Sequence, residues 1–210
     1  MTSVAVKICG ITSSAQARMV AAAGADAIGL VLYDKSSRHV DLDLAVEIKN
    51  AISEDVVCIA LLVNAEEKFV REVISKLSPH FIQFHGDESP NFCHQFNYPF
   101  IRAVRMSKEL KMAKILSSYK PSGGFLFDAW HADHYGGTGH VFDWNRLPVN
   151  LDFPLILAGG LNPDNVSSAV RAVGPAMVDV SGGVESSPGV KDEHKVREFI
   201  LNAKEASPKR

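Results

Sequence analysis

The chain has 210 residues, with 22 Lys or Arg against 24 Asp or Glu and a net charge of −2. That balance gives no broad basic field for nucleic acid. The longest apolar run, residues 56–63, is too short to span a bilayer, and no charged segment followed by an apolar stretch opens the chain.

Apolar residues make up 46% and charged residues 22% of the sequence, enough to fill a core. Cys9, Cys58 and Cys93 are odd in number and far apart, with no CxxC or Cys/His ligand spacing. That argues against a disulfide framework and a zinc site, and for a reducing compartment. The expectation is a soluble cytoplasmic protein with no membrane or nucleic-acid partner.

Short apolar, β-branched runs alternate with longer amphipathic segments, the pattern of parallel βα units. In chain order, strands are predicted at 4–9, 27–32, 56–63, 81–84, 100–104, 124–128, 155–158 and 177–180. Helices are predicted at 12–23, 44–52, 65–77, 90–95, 108–118, 163–172 and 192–204. The first opens with Ser13 and Gln16 in capping-box spacing. The sixth has Asn162 as N-cap and Pro163 at its first position. After the sixth strand only a short turn is expected, near 143–147. Eight βα units without a composition break predict one domain, 1–210, closed as a (β/α)8 TIM barrel. Barrels of this type usually need roughly 250 residues, so the loops must be short. An open doubly wound sheet is the rival, disfavoured because no Gly-x-Gly-x-x-Gly turn follows the first strand.

Active sites of such barrels sit at the C-terminal ends of the strands. The polar residues there are Cys9, Arg38, His85, Asp128, Gly160, Asp179, Ser181, Gly182 and Gly183. Alternation along 4–9 turns Lys7 and Cys9 into the lumen and Val6 and Ile8 toward the helices. A neighbouring cation or helix N-terminus lowers a thiol pKa, so Cys9 is either a base near neutrality or a small buried hydrophobe. Asp128 closes an apolar strand, where burial favours a protonated acid; the alternative is a loop cap. Asp179 lies on the strand next to the first and is expected to pair with Lys7, a role at least as structural as catalytic. His85 is a structural hydrogen bonder or a catalyst. Arg38 is a solvated surface residue or a bidentate carboxylate clamp. Gly159-Gly160 and Ser181-Gly182-Gly183 follow strands seven and eight, where backbone N–H groups often hold phosphate. The stretch 135–140 is a lid or a long turn.

Taken in order, several stretches resemble the phosphoribosylanthranilate isomerase family. They are Lys7-Ile8-Cys9-Gly10-Ile11-Thr12, Ser37-Arg38, Gln83-Phe84-His85-Gly86 and Phe127-Asp128. Further on come Gly136-Gly137-Thr138-Gly139, Phe142-Asp143-Trp144, Ala158-Gly159-Gly160-Leu161-Asn162-Pro163 and Asn165-Val166. The last are Asp179-Val180-Ser181, Val184-Glu185 and Gly189-Val190-Lys191-Asp192. The resemblance implies a (β/α)8 barrel without cofactor or metal. It implies an Amadori rearrangement of N-(5-phosphoribosyl)anthranilate to the 1-deoxyribulose phosphate, a step of tryptophan biosynthesis. It implies Cys9 as base, Asp128 as acid, Arg38 as partner of the anthranilate carboxylate, and loops at Gly160 and 181–183 as the phosphate site. A small phosphorylated substrate and a monomer or homodimer are expected.

Two departures stand out. The family's usual Ser-Ser-Gly is here Ser181-Gly182-Gly183, tolerable if backbone amides hold the phosphate. A usual leucine is Phe84, which alters packing only. The rivals are a histidine-pathway or dual-substrate phosphoribosyl isomerase, a non-catalytic phosphate-binding barrel and, more remotely, an indole-glycerol-phosphate synthase.

Overall fold

The computed structural model describes residues 3–107, 109–129, 142–149 and 151–206. The expected lid at 135–140, the Gly136–Gly139 motif, the first residue of the predicted fifth helix and the last four residues, 207–210, lie outside these residues.

Eight parallel strands close into a barrel in sequence order. They are β1 (Ala5–Cys9), β2 (Ala27–Val31), β3 (Val57–Leu62), β4 (Phe81–Phe84), β5 (Phe100–Arg105), β6 (Phe125–Asp128), β7 (Leu155–Leu157) and β8 (Met177–Val180). Every predicted strand is present, within a residue or two at each end. The helices are α1 (Ser14–Ala22), α2 (Leu42–Asn50), α3 (Glu67–Leu77), α4 (Pro90–His94), α5 (Met112–Ser118), α6 (Val166–Val173) and α7 (Glu193–Glu205). A short 3-10 turn, Trp144–Arg146, follows the sixth strand. No helix among the described residues is long and apolar enough to cross a membrane.

Alternation along the strands divides the core. Val6, Ile8, Phe125 and Phe127 pack outward against the helices, whereas Ala27, Ile59, Ile101, Leu126 and Ile156 fill the barrel interior. Each large apolar side chain so buried contributes roughly 1.5–3 kcal/mol. Near the C-terminal ends of the strands the interior turns polar.

Some local chemistry differs from expectation. At α1 only half a capping box forms: Ser13 Oγ accepts from the Gln16 N–H, but the Gln16 side chain donates to Thr12 Oγ1 and the Gly189 carbonyl. That bond ties the chain after β8 back to the first loop. Helix α6 begins at Val166 with Asn165 at its cap, not at Pro163 with Asn162. Asn162 instead closes an Asx turn, its Oδ1 accepting from the N–H groups of Asp164 and Asn165. Helix α2 starts two residues early because Asp41 Oδ1 caps it through the Leu44 N–H. An unexpected hairpin follows β8, pairing β9 (Glu185–Ser187) with β10 (Val190–Lys191). These strands are too short and polar to show as strands in the sequence.

Candidate active site

At the C-terminal mouth lies a cavity of about 670 Å³. Its walls include all nine expected site residues: Cys9, Arg38, His85, Asp128, Gly160, Asp179, Ser181, Gly182 and Gly183.

Cys9 and Lys7 both face inward from β1. Lys7 is fully buried, its ammonium donating to Asp179 Oδ1 and to Gln83 Oε1, each at 3.0 Å. The expected Lys7–Asp179 pair is therefore real, and the parallel register sets the two residues side by side. Gly29 on β2 makes the room: a Cβ there would sit 2.6 Å from Cys9 Sγ and 3.1 Å from Lys7 Cε. Burial pushes the Cys9 thiol above its ordinary value; Lys7 pulls it down, Asp179 pushes it up and Lys191 pulls it down, without reversing the outcome. This corrects the expectation of a thiol activated by its surroundings, since desolvation outweighs the cations. For Lys7, burial disfavours the charge, but Asp179 and Cys9 more than compensate and hold it above the ordinary lysine value.

Phe81 and Gln83 of β4, and His85 just past its end, follow one another on the inner face with period two. Gln83 Nε2 lies 2.8 Å from His85 Nδ1, and His85 Nε2 lies 3.2 Å from Asp128 Oδ2. A continuous polar chain thus runs Asp179–Lys7–Gln83–His85–Asp128 across the lumen. The two ends of the expected chemistry, on β1 and β6, are linked through it. Lys7 was expected as a lumen-facing neighbour of Cys9 and a partner of Asp179, and Gln83 only as part of a motif. The signal for Gln83 was an amide in an apolar strand, one residue pair below His85 on the same face.

Arg38 grips Glu185: Nε donates to Oε1 and Nη2 to Oε2, each at 2.8 Å. Glu185 Oε1 also accepts from Lys191 Nζ at 2.7 Å. Burial raises the Glu185 carboxyl, but Arg38 and Lys191 bring it net below its ordinary value. Burial also lowers Lys191, only partly offset by Glu185. Lys191 Nζ reaches the Ser181 carbonyl at 3.2 Å as well, so the hairpin braces the loop after β8. Neither Glu185 nor Lys191 was singled out from the sequence. Gly10, at φ 77°, lets Arg38 and Ser181 approach over Cys9, since a Cβ there would meet Arg38 Cδ at 2.7 Å.

The two glycine turns touch. Gly159 and Gly160 have φ 83° and 67°, conformations that favour glycine. Asn165 braces this turn by donating from Nδ2 to the Gly160 carbonyl. A Cβ on Gly183 would lie 2.0 Å from the Leu161 carbonyl oxygen, so only glycine allows this contact.

Barrel and cavity define a (β/α)8-barrel enzyme with its site at the C-terminal mouth. The family model for N-(5'-phosphoribosyl)anthranilate isomerase matches residues 6–202. The chain belongs to the N-(5'-phosphoribosyl)anthranilate isomerase family. It is 45% identical to the N-(5'-phosphoribosyl)anthranilate isomerase of Neisseria meningitidis serogroup C, covering 99% of this chain and 100% of that relative. The relative from Cellvibrio japonicus is also 45% identical, over 99% of this chain and 96% of its own length. Among solved structures, phosphoribosyl anthranilate isomerase from Thermotoga maritima superposes with a TM-score of 0.87 at 38% identity, covering 96% of this chain and 98% of that one. A structure of the isomerase in complex with reduced 1-(o-carboxyphenylamino)-1-deoxyribulose 5-phosphate gives 0.81 at 35% identity, with coverage of 96% and 98%.

Proposed function

We propose that this chain converts N-(5-phosphoribosyl)anthranilate to 1-(2-carboxyphenylamino)-1-deoxyribulose 5-phosphate in tryptophan biosynthesis, with Asp128 as general acid and Cys9 as general base. The observation that carries the assignment of roles is the convergence on one cavity of a thiol from β1, a carboxyl from β6, an arginine from the loop after β2 and two glycine turns after β7 and β8.

In this reading Asp128 donates its proton to the ring oxygen. The C1–O bond breaks while the nitrogen lone pair forms a C=N iminium. That cation acidifies the C2 proton and stabilises negative charge on the nearby sulfur. Cys9 thiolate removes the proton, leaving an enolamine that takes a proton at C1 and gives up the one on its C2 hydroxyl to become the ketose. Atoms balance, as an isomerisation requires. Each such proton transfer is worth about 10²–10⁴-fold. The glycine turns hold the phosphate through backbone N–H groups, and Arg38 holds the anthranilate carboxylate. His85 and Asp179 act from the cavity wall through the polar chain. Clamps at opposite ends hold the sugar between acid and base. A cytoplasmic location accords with three free, buried thiols.

The test is direct. Freshly generated phosphoribosylanthranilate is supplied and its fluorescence followed. Enzyme-dependent decay with formation of the deoxyribulose product supports the reading; decay at the spontaneous rate refutes it.

A further inference from the structure

The amide of Gln83 has only one orientation compatible with its neighbours. Lys7 Nζ has hydrogens to give and no lone pair to offer. The Gln83 atom facing it at 3.0 Å is therefore the carbonyl oxygen. Nε2 then points its hydrogens at His85 Nδ1, 2.8 Å away. A proton on Nδ1 would set two donors against each other, so Nδ1 must be the lone-pair nitrogen. The ring hydrogen sits on Nε2 and is donated to Asp128 Oδ2 at 3.2 Å. Oδ2 is thereby an acceptor. The carbonyl-type oxygen of a carboxylic acid is its stronger acceptor, so a protonated Asp128 keeps Oδ2 for His85 and carries its hydrogen on Oδ1, the oxygen that lies beside Gly159, where a Cβ would come within 3.0 Å of it.

We infer that Gln83, oriented by Lys7, fixes the tautomer of His85 and through it selects Asp128 Oδ1 as the oxygen that hands its proton to the substrate. Gln83 and His85 are positioning residues. Gln83 is wholly buried and His85 nearly so, so water does not compete for these bonds. The same amide ties the acid to the Lys7 ammonium beside Cys9, which makes one hydrogen-bonded unit of the acid and base halves of the site. This inference rests on the isomerase reading above.

The experiment is heteronuclear NMR of the imidazole nitrogens in 15N-histidine-labelled protein, with the His85 signals assigned by their loss in His85→Asn. The parent protein should show a protonated Nε2 and an unprotonated Nδ1. In Gln83→Glu the carboxylate still accepts from Lys7, but its second oxygen now faces Nδ1 as an acceptor. Nδ1 should gain the hydrogen, and kcat should fall at least about tenfold with KM nearly unchanged. Gln83→Met keeps the volume and removes both bonds, and it should show mixed tautomers with an intermediate kcat. A parent ring protonated on Nδ1 overturns the inference, whatever the variants do. So does Gln83→Glu with kcat within twofold of the parent. A parent enzyme with the expected tautomer but no turnover of phosphoribosylanthranilate would overturn the isomerase reading instead, leaving the tautomer assignment standing.

Discussion

Arg38 meets Glu185 with two parallel hydrogen bonds of 2.8 Å, so the side chain proposed to hold the substrate carboxylate is itself held by a carboxylate. The pairing uses Nε and one edge of Nη2 and leaves Nη1 uncommitted among the described residues. A guanidinium fixed in this way loses little freedom when it binds an anion. Glu185 in turn is anchored by Lys191, which also braces the loop after β8. Glu185→Gln keeps the size but weakens both charge-assisted bonds, and Arg38 then samples other positions. KM should rise about tenfold, since a bond to a charged group is worth roughly 1.5–3 kcal/mol. Arg38→Ala should raise KM at least as much. Steady-state kinetics decide, and an unchanged KM in both variants would remove the clamp from the mechanism.

Burial leaves Cys9 above the ordinary cysteine range. In the free enzyme at neutral pH the thiol form therefore predominates. Since kcat/KM reports ionisations of the free enzyme, it should climb steadily between about pH 7 and 9. A plateau reached below pH 7.5 would contradict this. Cys9→Ala should lower kcat by about 10²-fold or more while substrate still binds. Near-normal turnover in that variant would reject the sulfur as base.

Asp128→Asn tests the other half. The amide still accepts from His85 Nε2, so the local geometry should survive. It cannot supply an acidic proton, and kcat should drop by about 10²–10⁴-fold. Product-analogue affinity, measured by calorimetry, should stay within a few-fold of the parent. A variant that loses affinity as strongly as turnover would show Asp128 to be a binding group.

The barrel was legible because eight short apolar runs alternate with amphipathic ones, a period-two and period-3.6 contrast that survives without any tertiary knowledge. The cavity residues were legible for a similar reason: in a closed barrel the mouth is lined by inward-facing residues at the C-terminal strand ends and by the loops that follow them. What escaped was polar chemistry that depends on distant partners. Gln83 is an unremarkable amide until Lys7 approaches it from a position 76 residues earlier. Glu185 and Lys191 lie beyond the last barrel strand, in a hairpin whose strands are two or three residues long. The raised thiol escaped too, because a sequence reveals the neighbouring lysine but not the burial that outweighs it. Asn162 misled for a local reason: Pro163 fits a first helical turn, yet the Asx turn competes for the same backbone groups.

Gly183 sits against the Leu161 carbonyl with no room for a side chain. Gly183→Ala must separate the two glycine turns by the better part of an ångström. Displacement on that scale can cost about 10²-fold even away from the reacting atoms. The expected result is a large loss in kcat/KM, mostly in KM, with the melting temperature within a few degrees of the parent. Weakened protection by inorganic phosphate against thermal unfolding would tie the effect to the anion site. Full activity in Gly183→Ala would mean that the turns hold no phosphate between them.

Two thiols outside the cavity, Cys58 and Cys93, are pushed up to about 12 by burial. In the unfolded chain they ionise near ~8.5. Between those values the folded protein keeps protons that the unfolded chain releases. Stability from these groups is therefore complete below about pH 8.5 and is lost as pH rises toward 12. For Cys58 the slope approaches about 1.4 kcal/mol per pH unit, one proton's worth. Cys58→Ala removes that proton, so its stability should fall less steeply with pH, even though the smaller side chain lowers stability overall. Urea unfolding at pH 7.5, 8.5 and 9.5 gives the slopes. Cys9, raised in the same direction, is present in both proteins and cancels in the comparison. Parallel slopes would show that the Cys58 thiol ionises as readily in the folded barrel as in the unfolded chain.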